Sequence, residues 1–311
     1  MIAFVFPGQG SQEPGMGRSL LEAFAACRET FQEADDTLGF PLTRLCLEGP
    51  AEELQLTANA QPAILTVSVA ASRALEEAGL RPEAVAGHSL GEYSALVAAG
   101  ALTLADALRL VRRRGQYMQE AVPVGEGAMA ALMGLERDVV DQVCREARAA
   151  AGDRSVVSPA NLNAPGQVVI SGHAGAVDTA IALAKERGAQ RAIRLAVSAP
   201  FHCILMQPAA DRLAQDLAAT PFSDLRIPLV ANVTAAPLAS GAQARAALEA
   251  QVTAPVRWDE SVKALAALGV SRAVEAGPGR VLTGLIKRID AGFRCVPAGD
   301  ADSVTKAVEA L

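Results

Sequence analysis

Aromatic residues are scarce in this 311-residue chain: Phe, Trp and Tyr make up 4% of it, with 1 Trp and 2 Tyr. Ala, Val and Leu must therefore fill the core, and a 51% share of hydrophobic residues supplies ample material for one. Histidine is limited to 3 residues, which argues against a histidine-rich metal site. The 5 cysteines, Cys27, Cys46, Cys144, Cys203 and Cys295, are odd in number and form no CxxC pair. That argues against a disulfide framework or a zinc knuckle and for reduced thiols in the cytoplasm. A basic excess is absent too: the formal net charge is -6, and Arg112-Arg113-Arg114 is too isolated to form the cationic stripe that nucleic acid requires. No apolar run approaches the ~20 residues of a membrane span. Residues 95–110 come nearest, and Thr103 and Asp106 interrupt them. The start, MIAFVFPGQG, lacks the basic opening of a secretory signal.

What is present reads as alternating strands and helices. Residues 2–6 and 84–87 are short buried strands. Residues 20–38, 61–78 (with Leu54 and Ala58 before them), 90–99 and 104–120 have helical spacing. From residue 127 the texture changes to strand (127–135), helix (138–150), two strands (156–160 and 167–171) joined by Asn163-Ala164-Pro165-Gly166, helix (176–187) and strand (192–197). That order is ferredoxin-like. Beyond it come helix 202–218, strand 229–233, helix 260–268, strand 272–275 and a last helix at 281–289. The expected fold class is α/β: a large α/β-hydrolase-like domain with a mainly parallel sheet, from residues 1–125 and 199–311, carrying a small inserted ferredoxin-like domain, residues 126–198.

The stretch Gly87-His88-Ser89-Leu90-Gly91 lies between a predicted strand and a predicted helix. Gly-x-Ser-x-Gly in that setting is a nucleophile elbow: the serine sits on a strained turn that larger neighbours would obstruct. The helix that follows aims its N-terminal N–H groups at the site, so the Leu90 N–H is placed to stabilise an oxyanion. A serine nucleophile needs a base. His88 adjoins Ser89 and points away from it, so it packs beneath the elbow. His173, in Ser171-Gly172-His173, reads as a surface-loop histidine. His202, in Ser198-Ala199-Pro200-Phe201-His202, falls where the small domain returns to the large one; it is either catalytic or a helix-start or core histidine, and elimination favours the first. The absence of an obvious Asp between Ser89 and His202 points to a dyad without a carboxylate.

Seven blocks in order carry a resemblance that spans the chain: Phe6-Pro7-Gly8-Gln9-Gly10-Ser11-Gln12; Gly87-His88-Ser89-Leu90-Gly91-Glu92-Tyr93; Arg114-Gly115 with Met118-Gln119-Glu120-Ala121-Val122-Pro123; Asn163-Ala164-Pro165-Gly166-Gln167; Pro200-Phe201-His202; Gln251 with Pro255-Val256; and Glu275-Ala276-Gly277-Pro278-Gly279. With them the chain resembles the malonyl-CoA:acyl carrier protein transacylases. The resemblance implies that Ser89 is acylated, that His202 is its general base and then acid, and that a backbone carbonyl at Gln251 orients the imidazole. It implies an oxyanion hole from the N–H groups of Gln9 and Leu90, and Arg114 as the anchor of the malonyl carboxylate. Arginine suits that role because its planar fork matches a carboxylate. Arg112, Arg113 and Arg114 lie about 100° apart around a helix, so at most one points inward; three solvated arginines is the plainer alternative. Phe201, just before the histidine, is implied to favour malonyl over branched acyl groups, a discrimination of ~1–3 kcal/mol per methyl; a core aromatic at the domain junction is the alternative.

The substrates so implied are malonyl-CoA and the phosphopantetheine thiol of an acyl carrier protein, with no metal and no redox cofactor. Acidic carrier proteins need a local basic patch on this acidic chain. Arg280, Lys287 and Arg288 are candidates, as are Arg191 and Arg194, and ordinary solubilising charge is the alternative for each. A monomer is expected. Three rivals share some features: a free-standing acyltransferase of a polyketide synthase, a serine hydrolase such as a thioesterase, and a non-catalytic carrier-binding module.

Overall fold

The opening apolar run forms strand β1 (Ile2–Phe6), whose residues alternate between two cores: Phe4 and Phe6 enter one, Ala3 and Val5 the other. Burial on both faces explains why the run is apolar throughout. The structure is a computed structural model that describes residues 1–152, 154–197 and 199–311. Nine further strands follow among them: β2 (Ala84–Gly87), β3 (Gly127–Met133), β4 (Val157–Ala164), β5 (Gln167–His173), β6 (Arg191–Arg194), β7 (Leu229–Val230), β8 (Pro237–Leu238), β9 (Arg272–Ala276) and β10 (Arg294–Ala298).

Six strands make one sheet in the order β10-β9-β1-β2-β7-β8, parallel except for the last pair. Helices cover both faces. Thr57–Glu77, the long buried helix, packs on one side with Leu104–Glu120 and Gln207–Ala219, while Trp258–Ala267 and Val281–Ile289 pack on the other. The other four strands form an antiparallel sheet, β4-β5-β3-β6, with its own core under helices Arg137–Ala151 and Ala174–Glu186. This is the expected α/β architecture with a ferredoxin-like sheet added. The elements of the small sheet fall inside residues 126–198, whose last residue, Ser198, lies outside the described residues. Its β4 is tied to the larger unit through backbone bonds Leu162 N–H to Val256 O (2.8 Å) and Val256 N–H to Ala160 O (2.9 Å).

Several elements depart from the sequence reading. Residues 18–38 form two helices, Arg18–Ala23 and Ala25–Leu38, broken at extended Phe24. The helix expected from residue 202 begins at Gln207, with Pro208 in its first turn where a missing N–H costs nothing. The strand expected at 229–233 stops at Val230. Helices Leu42–Glu48 and Gly241–Gln251 were not anticipated. Val281–Ile289 is not the last helix, because β10 and helix Ala301–Ala310 follow it. His173 is not on a surface loop: it ends β5, and its Nδ1 accepts the Val156 N–H at 3.0 Å. None of the described helices is long and apolar enough to cross a membrane.

Candidate active site

Strand β2 runs directly into the elbow. A Cβ on Gly87 would collide with the backbone of Gly91 and Glu92, and one on Gly91 would collide with the carbonyl of Phe6. Both glycines are therefore required by close approach, and Ser89 between them is held at φ 52°, the left-handed region that non-glycine residues rarely occupy. Asn232, just past β7, locks the turn by accepting the Ser89 N–H (2.7 Å) and donating to Gly87 O (2.6 Å).

His202 also has a positive φ, 59°, and is 4% exposed. Its Nε2 lies 2.7 Å from Ser89 Oγ, and its Nδ1 lies 2.9 Å from the backbone carbonyl of Gln251. A carbonyl can only accept, so Nδ1 carries the hydrogen and Nε2 presents its lone pair to the serine. Burial, then the charge of Arg114, push the imidazole down to about 3. It is therefore neutral near pH 7 and ready to accept a proton.

The three arginines separate as their helical spacing requires. Arg112 donates to Ala58 O (2.7 Å), the carbonyl left without its helical donor by Pro62 four residues on. Arg113 turns outward to pair with Asp216. Arg114 points inward, 3% exposed, and donates to Gln61 Oε1 (2.7 Å), Gln251 Oε1 (2.9 Å) and Ser89 Oγ (3.2 Å). Burial lowers its pKa, and the nearby Glu92 opposes that shift.

These groups open onto a cleft of about 540 Å³ lined by residues of both sheets' units, among them Gln9, Leu90, Arg114, Asn161 and Phe201. Among the described lining residues Arg114 is the cation. The backbone N–H groups of Gln9 and Leu90 take no partner among the described residues, while the Gln9 side chain is held through Oε1 by Thr57 Oγ1 at 2.8 Å. Phe201 is 8% exposed at the wall. His88 is turned away from Ser89: its Nε2 meets Asn163 Oδ1 at 2.8 Å, and its ring packs near Trp258. Arg280 and Lys287 are exposed at and on helix Val281–Ile289, and Arg288 there donates to Gln167 Oε1 at 2.8 Å. Arg194 pairs with Asp178. Gly279 lies against Ser11, so the loop before Arg280 borders the Gln9 turn. No group of three or more His, Cys, Asp and Glu among the described residues could hold a metal ion.

Sequence reasoning missed Gln61, Glu92, Asn161 and Asn232. The available signal was a polar residue inside an otherwise apolar run, as with Glu92 in GEYSALVA and Asn232 after Leu229-Val230-Ala231.

Comparison with known proteins agrees with this geometry. The family model described as "Acyl transferase domain" matches residues 3–296. The malonyl CoA-acyl carrier protein transacylase of Bacillus subtilis strain 168 is 48% identical over 310 residues, 100% of this chain and 97% of that protein. Two solved structures superpose with a TM-score of 0.96 at 47% identity. One is the malonyl CoA-acyl carrier protein transacylase of Coxiella burnetii, over 99% of this chain and 96% of its own. The other is a malonyl-transacylase in complex with its holo type II PKS acyl-carrier protein, over 100% and 99%. A match that runs from residue 3 to residue 296, across both sheets, leaves one assignment: this chain belongs to the acyl transferase family.

Proposed function

We propose that this acyltransferase moves the malonyl group from malonyl-CoA to the phosphopantetheine thiol of an acyl carrier protein through a malonyl ester of Ser89. One observation carries the reading: a nucleophile, a neutral base and a buried cation converge on a single oxygen, with Ser89 Oγ 2.7 Å from His202 Nε2 and 3.2 Å from Arg114 Nη2. A hydrolase has no need of a buried guanidinium beside its serine. A transferase that selects a 3-carboxyacyl group does, because the carboxylate must lie within a few bonds of the ester carbonyl.

His202 Nε2 takes the Ser89 Oγ proton as the oxygen attacks the thioester carbonyl, a general-base contribution of about 10²–10⁴-fold. The tetrahedral oxyanion is received by the N–H groups of Gln9 and Leu90, each worth roughly 10²–10³-fold in such sites. The intermediate collapses, the C–S bond breaks, and the coenzyme A sulfur leaves with the proton held by His202. The carrier thiol then enters, gives its proton to His202 and attacks the serine ester, and Ser89 recovers its proton. Arg114 holds the malonyl carboxylate in both steps, and Phe201 crowds a branched α-carbon. We read residues 126–198 as an inserted small domain that supplies one wall of the cleft. Arg280, Lys287 and Arg288 are read as the basic surface that meets the acidic carrier, which this acidic chain needs locally. The similarity to a transacylase bound to a PKS carrier keeps a polyketide carrier as a second reading of the partner.

The test is transfer to purified carrier protein from malonyl-, methylmalonyl- and acetyl-CoA. Malonyl transfer should dominate, Ser89→Ala should abolish it, and reversing the charge of Lys287 and Arg288 together should slow carrier acylation while leaving serine acylation intact. Equal use of acetyl-CoA, or transfer by Ser89→Ala, would overturn the reading. Preference for a polyketide carrier over a fatty-acid carrier would select the second partner.

A further inference from the structure

Beneath the elbow lies a carboxylate that the two-step mechanism does not use. Glu92, in the first turn of helix Gly91–Ala98, is 1% exposed. Its Oε2 accepts from Gln251 Nε2 at 2.8 Å and from the Asn232 N–H at 3.2 Å. A buried carboxylate is costly unless it is paired, so an ordinary core would not place one here. The charge it answers is Arg114, and the link between them is a single amide. Gln251 turns Nε2 toward Glu92 and toward Ser89 O (3.0 Å), and Oε1 toward Arg114 Nη2 (2.9 Å). The reverse orientation would set Oε1 against two acceptors and Nε2 against a cationic donor, so the carboxylate, the charged one of the two acceptors, acts with Ser89 O and Arg114 to set which way the amide faces. The same residue presents its backbone carbonyl to His202.

We propose that Glu92 is a positioning residue: acting through the Gln251 amide, its carboxylate fixes Arg114 beside Ser89 and offsets the arginine's charge, so that the site holds a malonyl carboxylate firmly enough to orient it without holding it too tightly. This rests on the malonyl reading above. Two consequences separate reach from charge. Glu92→Gln keeps the shape and one oxygen that can still accept from Gln251 and Asn232, but it removes the charge, so the Gln251 amide, and Arg114 through it, is held less firmly. Arg114 then attracts a carboxylate more strongly and is less well aligned with Ser89. Glu92→Asp keeps the charge and withdraws it by one methylene, so alignment suffers while the attraction stays.

The experiment is single-turnover acylation of Ser89 by malonyl-CoA, followed by mass spectrometry across substrate concentration. It is run with the full-length chain above the value of about 7 to which burial raises the Glu92 carboxyl. Amplitude counts folded, competent sites; the rate constant and the half-saturating concentration report on the site itself. Glu92→Gln is expected to lower the limiting rate constant by about 10–100-fold, the scale of a small misplacement of reacting groups, and to lower the half-saturating malonyl-CoA several-fold. Glu92→Asp is expected to lower the rate constant with half-saturation unchanged. Rate constants within twofold of the parent's in both variants, or a loss confined to amplitude, would overturn the proposal while leaving the malonyl reading intact. A parent protein that acylates from acetyl-CoA as readily as from malonyl-CoA would remove both. If Glu92→Gln yields too little folded protein, Glu92→Asp decides alone through its rate constant, with competition by free malonate as the measure of anion affinity.

Discussion

His202 works at neutral pH because of where it sits. An exposed imidazole titrates near 6.5, and this one is held down to about 3 by burial first and by Arg114 second. Below its pKa the ring would be cationic and unable to take the serine proton; above it the ring is neutral, so base function is present throughout the physiological range and is lost only as pH falls through the depressed value. An NMR titration of the His202 ring should therefore show no protonation step between about pH 8 and pH 5, and Arg114→Ala should move proton uptake upward by removing one depressing cause. A step near 6.5 in the parent protein would contradict the account. Ser89 and His202 were legible in the sequence because the elbow glycines announce the first and the shortage of histidines isolates the second. Gln61, Glu92 and Asn232 were not, because their meaning lies in partners far along the chain: Gln61 meets Arg114 across 53 positions, and Glu92 meets Asn232 across 140. No local pattern encodes such a contact.

Glycines separate function from mere tolerance among the elements. Gly91 opens the elbow helix with its α-carbon against the Phe6 carbonyl, so Gly91→Ala must displace β1 or the turn, at a cost of roughly 1–3 kcal/mol and with loss of acylation. Gly284, exposed within helix Val281–Ile289, has open space where a Cβ would go. Gly284→Ala should stabilise the protein by ~0.5–1 kcal/mol through helix propensity alone. Chemical denaturation measures both, and a neutral Gly91→Ala would refute the packing argument. Elements were read well where apolar spacing was strong and poorly where it was not. Helix Gly241–Gln251 is rich in Ala, with Leu248 its one larger apolar residue, and has no broad apolar stripe; its one clear signal was the capping box of Ser240 with Gln243. Strand β10 contains Pro297, which disguises it as a loop, and the sheet tolerates it because β10 is an edge. The helix start was misplaced to His202 because apolar spacing continued backward past Gln207, while the left-handed backbone of His202 has no sequence mark.

Across the whole molecule, the site is assembled from distant stretches of chain. Ser89 comes from a strand end, Arg114 from a helix, and His202 from the segment that returns from the small sheet. The small sheet is not left to swing freely on its connections: Asn163 holds His88, Val256 continues the edge of β4, and Arg288 reaches Gln167. The alternation of strands and helices made the α/β class and the ferredoxin-like order readable, since both follow from local periodicity. The pairing of Ser89 with His202 followed from the elbow and from elimination among three histidines, whereas the arrival of Arg114 at the same oxygen was not readable from spacing and entered only through family resemblance. The convergence of these side chains is the centre of the account, and intact mass after brief exposure to malonyl-CoA tests it most directly. The parent protein should gain the mass of one malonyl group, located on Ser89, and His202→Ala should gain none on the same timescale; a parent that stays unlabelled, or a His202→Ala variant labelled as fast as the parent, would contradict it.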